Sequence, residues 1–295
     1  MDNSTGYKLT IGLLRAVAHL PLRVLYILSD IAFFVLFYVV RYRRKMVRGN
    51  LRKALPDASE RDLAMYERGF YRHLCDVFIE AVKLLHISDE EADRRIKVYG
   101  TEGVDEAIRG GQSVVVMLGH YGNWEWVPAV MRHISEPVVS CQIYHPLSNK
   151  IMDQVMLTIR SRFGSESIPM ARTVRRLFEI ERDGGHFICG FIADQRPFTR
   201  ALPHWTTFMG LDTPYVTGGE TIGDRVGAAF FYLDVEKPSR GNYRLTFKRI
   251  EPLTDGAEFP VTRSYLKMLE ETIKRDPRFW LWSHNRWKRK KKLQN

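Results

Sequence analysis

Apolar residues mass first near the N-terminus. From Val24 to Val40 the chain reads VLYILSDIAFFVLFYVV, broken only by Ser29 and Asp30, and turns at once to Arg41-Tyr42-Arg43-Arg44-Lys45. A helix needs about 20 apolar residues to cross a bilayer, so this run is borderline in length. No small-residue cleavage site follows it, which argues against a removed signal peptide. It reads foremost as a membrane helix, spanning or deeply seated; a buried helix of a soluble domain and a partner-binding helix are the alternatives. In a membrane, Asp30 would have to face protein or headgroups, or be protonated, because a lone carboxylate in hydrocarbon is costly. The basic cluster after the run leaves the rest of the chain cytoplasmic by the positive-inside tendency, with Lys8, Arg15 and Arg23 pulling the other way.

Beyond the collar, apolar positions fall at helical spacing over 46–86, through Leu63, Tyr66, Phe70, Leu74 and Phe78. Pro56 breaks this stretch and Ser59 restarts it as a cap. Ser88 with Glu91 three residues on forms a capping box. From about residue 96 the pattern changes. Apolar, β-branched runs at 113–118, 137–143, 186–193, 228–235 and 243–250 predict buried strands, the last two joined by the turn Lys237-Pro238-Ser239-Arg240-Gly241-Asn242. Helical stretches at 149–163 and 173–183 alternate with the first strands, and 261–275 predicts a final helix. This alternation gives an α/β fold with a mostly parallel central sheet flanked by helices. Residues 1–45 then form a membrane-anchoring helix with its basic collar, and 46–295 one domain.

Charge narrows the partners. With 45 Lys+Arg against 34 Asp+Glu the formal charge is +11, which favours nucleic acid, an anionic membrane surface or an acidic carrier protein. Basic–aromatic interleaving is confined to the C-terminal tail, and no nucleic-acid module is recognisable, so no nucleic-acid partner is expected. Cys75, Cys141 and Cys189 are odd in number and scattered, which argues against a disulfide framework or a structural zinc.

One motif suggests chemistry. His120 follows the run 113–118 between Gly119 and Gly122, and Glu125 opens what reads as a helix. Ligands of α/β sheets gather at the carboxyl ends of strands. A histidine there can act as a general base, and a carboxylate five positions on can accept its second ring N–H. The spacing is weak by itself: nine histidines and 34 acidic residues in 295 give about one such pair by chance, and His86/Glu91 is a second. The alternative for His120 is a core histidine at a strand terminus. Asn123 could bind substrate or cap the helix that holds Glu125.

Five blocks in order make the reading specific. GHYGNWE (119–125), YHPLSN (144–149), RSRFG (160–164), ADQRP (193–197) and WSHNRWK (282–288) resemble the lipid A biosynthesis lauroyl/myristoyl acyltransferase family over most of the chain, and Arg48-Gly49-Asn50-Leu51 fits its pattern too. The resemblance implies a glycerophospholipid-acyltransferase-like fold in the bacterial inner membrane, facing the cytoplasm. It implies transfer of an acyl chain from an acyl carrier protein, or from acyl-CoA, to a hydroxyl of a lipid A precursor. His120 would be the base and Glu125 its partner; glycerol-phosphate acyltransferases usually carry aspartate there, so the glutamate points to the lipid A branch. Neither a metal nor a redox cofactor is implied.

The same resemblance marks Arg162 for a phosphate or the developing oxyanion, a surface helix charge being the alternative; Arg160, two residues away, cannot share its helix face and reads as solvated. Asp194 and Gln195 would bind substrate or orient that arginine, or merely cap a turn. Arg172, Arg175 and Arg176 read as a solvated helix face, with contact to lipid A phosphates the alternative, and Gly219, Gly223 and Gly227 as close helix–sheet packing. Trp280, Trp282 and Trp287 with Lys288-Arg289-Lys290-Lys291-Lys292 suit a membrane surface, a solubilising tail or a carrier dock. Rival functions are acyl transfer to a different membrane lipid (glycerolipid, aminolipid or glycolipid) and non-catalytic binding of membrane or nucleic acid.

Overall fold

The structure, a computed structural model, describes residues 4–197 and 204–288. The N-terminal third is helical: α1 (Thr5–Ala18), α2 (Leu22–Phe34), α3 (Arg44–Ala54), α4 (Glu60–Lys83) and the short α5 (Asp89–Arg95). Sequence punctuation decides several ends. The Ser59 hydroxyl accepts from the Asp62 amide at the start of α4, and Ser88 accepts from the Glu91 amide at the start of α5, as the caps predict. α2 runs on through a π-helical turn, Val35–Val39.

A seven-stranded sheet follows. Its strands are β1 (Ile96–Tyr99), β2 (Val114–Leu118), β3 (Val139–Tyr144), β4 (Glu166–Pro169), β5 (Phe187–Ile192), β8 (Ala229–Ser239) and β9 (Asn242–Arg249), in the order β1-β9-β8-β2-β5-β3-β4. Only the β8–β9 hairpin pairs antiparallel; all other pairings are parallel. β6 (His204–Phe208) and β7 (Leu211–Tyr215) form a separate antiparallel pair. Helices α6 (Thr101–Arg109), α7 (Lys150–Arg160), α8 (Thr173–Arg182), α9 (Gly218–Val226) and α10 (Pro260–Arg275) complete the chain. α9 packs on the face carrying Val115 and Phe191, where a Cβ on Gly223 would overlap the Phe230 ring, so close helix–sheet approach accounts for that glycine. On the opposite face, α6 brings Gly103 against Phe231.

Three findings differ from the sequence reading. α1 was not predicted. The apolar helix does not stand apart: α1 and α2 pack on α4, and α1 also on α7. Leu22–Val39 has a mean hydropathy of 2.0 and is long enough to cross a membrane, yet 28% of it is buried in the protein. Ile27, Ile31, Phe34 and Val39 stay exposed. Asp30 finds protein, pairing with Arg240 of the β8–β9 turn at 2.8 Å. Third, residues 121–126 are turns followed by a 3-10 segment, Val127–His133, so Glu125 opens no α-helix.

Candidate active site

β2 and β5 are parallel neighbours with Leu118 opposite Ile192. Two residues past each strand end stand His120 and Asp194, and the register alone brings them to the same height at the carboxyl edge. Their contact is close and double. His120 Nδ1 lies 2.6 Å from Asp194 Oδ1, and the His120 backbone N–H donates to Oδ2 at 2.8 Å. The Trp280 indole donates to the same Oδ2 at 2.7 Å. Gly119 makes room for this: a Cβ there would press on Leu269 and come within 3.3 Å of the Asp194 carboxylate. Burial opposes ionisation of Asp194, but the His120 ring, the amide and the indole together hold its carboxyl below the usual carboxylate range. A carboxylate at Nδ1 fixes the tautomer with the proton on Nδ1, leaving Nε2 as acceptor.

The C-terminal segment clamps this turn. Leu281 N–H donates to His120 C=O, Gly122 N–H donates to Phe279 C=O, and Tyr121 bridges to Trp280. His120 lines a groove of about 480 Å³ together with Trp124, Gln195, Leu281, Ser283 and His284 and with the apolar Leu36, Leu74 and Phe78. The apolar part of its lining thus comes from the end of the apolar helix and from α4. Burial pushes His284 down to about 4, which keeps it neutral. Trp124 sets its ring edge-on to His120 at 5.3 Å and also lines a second cavity of about 80 Å³, where Val116, Leu118, Ile188 and Ile192 meet the Glu125–Arg160 pair, Ser140 and Gln142.

The structure places the expected partner of His120 elsewhere. Both oxygens of Glu125 are taken by Arg160, at 2.6 and 2.8 Å, and nothing joins Glu125 to the His120 ring. The reason is local: Gly122 adopts a left-handed conformation (φ 62°), which turns the chain away, and the anticipated helix turn that would bring Glu125 back under His120 does not form. Arg160 is correspondingly not left to solvent. Arg162 is not in the groove; it pairs with Asp89 at 2.6 Å and donates to Ile87 C=O. Asn123 is buried, donating to Glu80 at 2.7 Å and accepting from the Glu125 amide, so it caps the turn. Gln195 does line the groove, its amide nitrogen 3.4 Å from both His120 ring nitrogens.

Other expectations resolve similarly. Glu91 belongs to its cap and to Arg95, and His86 stacks on His19. Arg175 and Arg176 are tied to Glu179 and Glu166. Trp280 and Trp282 are buried, and the Trp287 indole donates to Thr213, so these rings serve the protein interior rather than a membrane surface. Arg289-Lys290-Lys291-Lys292 lies outside the described residues. Of the collar, Arg43 donates to Ser283 C=O and lines the groove, while Arg44 pairs with Glu67. Burial pushes the Cys75 thiol up to about 11 and Cys141 up to about 12, which makes both poor nucleophiles. Among the described residues no group of three or more His, Cys, Asp or Glu could hold a metal. Sequence reasoning missed Trp124, Ser283 and His284 as groove residues, although all three stand in the quoted blocks.

A carboxylate-bound histidine at the rim of an α/β sheet, on a groove with a partly apolar lining, defines a site suited to amphiphilic substrates. The chain belongs to the bacterial lipid A biosynthesis acyltransferases: the model of that family matches residues 3–289. It is therefore an acyltransferase, and lipid A biosynthesis is its setting. A comparison with curated proteins finds no match.

Proposed function

We propose that the protein transfers a fatty acyl chain from a thioester donor, acyl carrier protein or coenzyme A, to a hydroxyl of a lipid A precursor at the cytoplasmic face of the inner membrane. His120 Nε2 takes the hydroxyl proton as the oxygen attacks the thioester carbonyl. Asp194 holds the ring and stabilises the imidazolium, the role that the family resemblance implies for Glu125. The tetrahedral intermediate collapses, the carbon–sulfur bond breaks, and the imidazolium returns its proton to the leaving thiolate. Gln195 and Ser283 are among the neutral polar residues lining the groove and could serve the oxyanion.

The observation that carries this reading is the His120–Asp194 contact on a groove lined also by Leu36 from the end of the apolar helix and by Leu74 and Phe78 of α4. Purified full-length protein, given acyl-carrier and acyl-CoA donors with lipid A precursor, glycerolipid and glycolipid acceptors, should acylate the lipid A precursor. His120→Ala should abolish that transfer. Preference for another acceptor, or full activity of His120→Ala, would overturn the respective half of the proposal.

A further inference from the structure

α4 carries an unusual stripe. His73, Asp76, Glu80 and Lys83 are spaced three and four apart, so they share one helix face, and all four are buried. An ordinary packing face would be apolar there. Each of these side chains is instead used, and together they grip two parts of the molecule at once.

On one side is the turn after His120. His73 Nε2 donates to Gly122 C=O at 3.0 Å; Nδ1 must accept, because its other neighbour is the Lys237 ammonium, which has only protons to give. Glu80 Oε2 accepts from Asn123 Nδ2 and from the Tyr243 hydroxyl, both at 2.7 Å. The Glu80 carbonyl accepts the Trp126 indole N–H at 2.8 Å. On the other side are the N-terminal helices. Tyr26 of α2 donates to Glu80 Oε1 at 2.9 Å, and Ser29 donates to Asp76 at 2.7 Å. Lys83 Nζ closes the end of α1 by donating to Ala18 C=O and Leu20 C=O.

The seam is directional. Apolar contacts tolerate sliding, whereas a satisfied buried polar network has one geometry and makes displacement costly. Glu80 stands at its centre, with donors from α2, β9 and the catalytic turn, and is absent from the lining of the His120 groove. It cannot act on substrate; it can decide where the turn sits. Displacing a reacting group by about 1 Å costs on the order of 100-fold in rate.

We propose that Glu80 is a positioning residue for acyl transfer, setting the His120 turn through Asn123 and Trp126, and that the Tyr26 hydroxyl makes this setting depend on α2 being seated. The apolar helix is then part of the active-site support as well as a membrane contact. This rests on the reading of His120 as base.

The test uses purified full-length enzyme in mixed micelles, with kcat expressed per folded molecule. Glu80→Ala leaves the Asn123, Tyr243 and Tyr26 donors without their acceptor; kcat should fall about 100-fold while KM for the thioester donor changes little. Glu80→Gln can keep all three bonds, its carbonyl facing Asn123 and Tyr243 and its NH2 donating to a turned Tyr26 hydroxyl, and should stay within about threefold of wild type. Tyr26→Phe removes one bond and should lower kcat about fivefold. A folded Glu80→Ala with full kcat overturns the proposal even if its melting temperature drops, and so does a Glu80→Gln as damaged as Glu80→Ala. Should Glu80→Ala fail to fold, Tyr26→Phe decides, and full kcat there sinks the coupling to α2. A fully active His120→Ala would fail the underlying reading, whereas an inactive one beside a fully active Glu80→Ala fails this inference alone.

Discussion

Asp194 and Glu125 compete for one role, and their surroundings separate them. Asp194 meets His120 twice and is held ionised; Glu125 is committed to Arg160. Asp194→Asn keeps the shape but removes the acceptor that fixes the tautomer, so kcat should fall by about 10²–10⁴ with KM nearly unchanged. Glu125→Gln should cost at least tenfold less per folded molecule; the reverse ranking would return Glu125 to the catalytic pair. His284 supplies a pH signature. Its pKa is pushed from the usual 6.5 down to about 4, chiefly by burial. The folded state therefore resists a proton that the unfolded chain accepts. Its contribution to stability is full above about pH 6.5 and is lost as pH falls from there toward about 4. The wild-type melting temperature should drop more steeply across that window than that of His284→Gln. Equal slopes would show that folding does not depress this group.

Elements differ sharply in how legible they were. The strands that build the site, β2 and β5, are continuous apolar runs because both faces are covered, and their bounds were read to within a residue or two. β1 and β4 are only four residues long and carry exposed or half-buried positions, so no run marks them. α1 was lost because Gly6, Gly12 and scattered polar residues hide its apolar stripe. His120 and Asp194 were each recognised at a strand end. Their pairing was not, because it depends on β2 and β5 being neighbours 74 residues apart in sequence, which is a property of strand order. Glu125 misled for the complementary reason. A five-residue spacing implies a helical return only if the intervening residues are helical, and the left-handed Gly122 sends them into a turn. The arginines were interchanged because sequence distance gives no azimuth once a helix ends: α7 stops at Arg160, and Arg162 lies beyond it.

At the scale of the whole molecule the question is how the apolar helix meets the membrane. Asp30 stands midway along Leu22–Val39, and at that point the β8–β9 turn lies against the helix. Arg240 reaches Asp30, Asp76 and the Tyr26 carbonyl there, and the Gly241 backbone sits close against the Tyr26 hydroxyl. A crossing orientation would carry this ion cluster and an irregular turn to the bilayer midplane, where charged side chains cost about 2.5–3.5 kcal/mol each even on the mildest scale and lipid-exposed irregular backbone is not tolerated. Lying in one leaflet instead, the helix offers Ile27, Ile31 and Phe34 to lipid and leaves Asp30 and Arg240 at the headgroups. Both ends of α2 then lie on one side of the membrane. The check is cysteine labelling of inner-membrane vesicles with an impermeant maleimide, against the low background of three buried native cysteines. Lys8→Cys and Asp255→Cys should both react in inside-out vesicles and neither in right-side-out ones. Labelling of Lys8→Cys from the periplasmic face alone would show that the helix crosses. The hairpin would then have to leave α2, and the Arg240 bonds to Asp30 and the Tyr26 carbonyl would be lost in the membrane-bound enzyme.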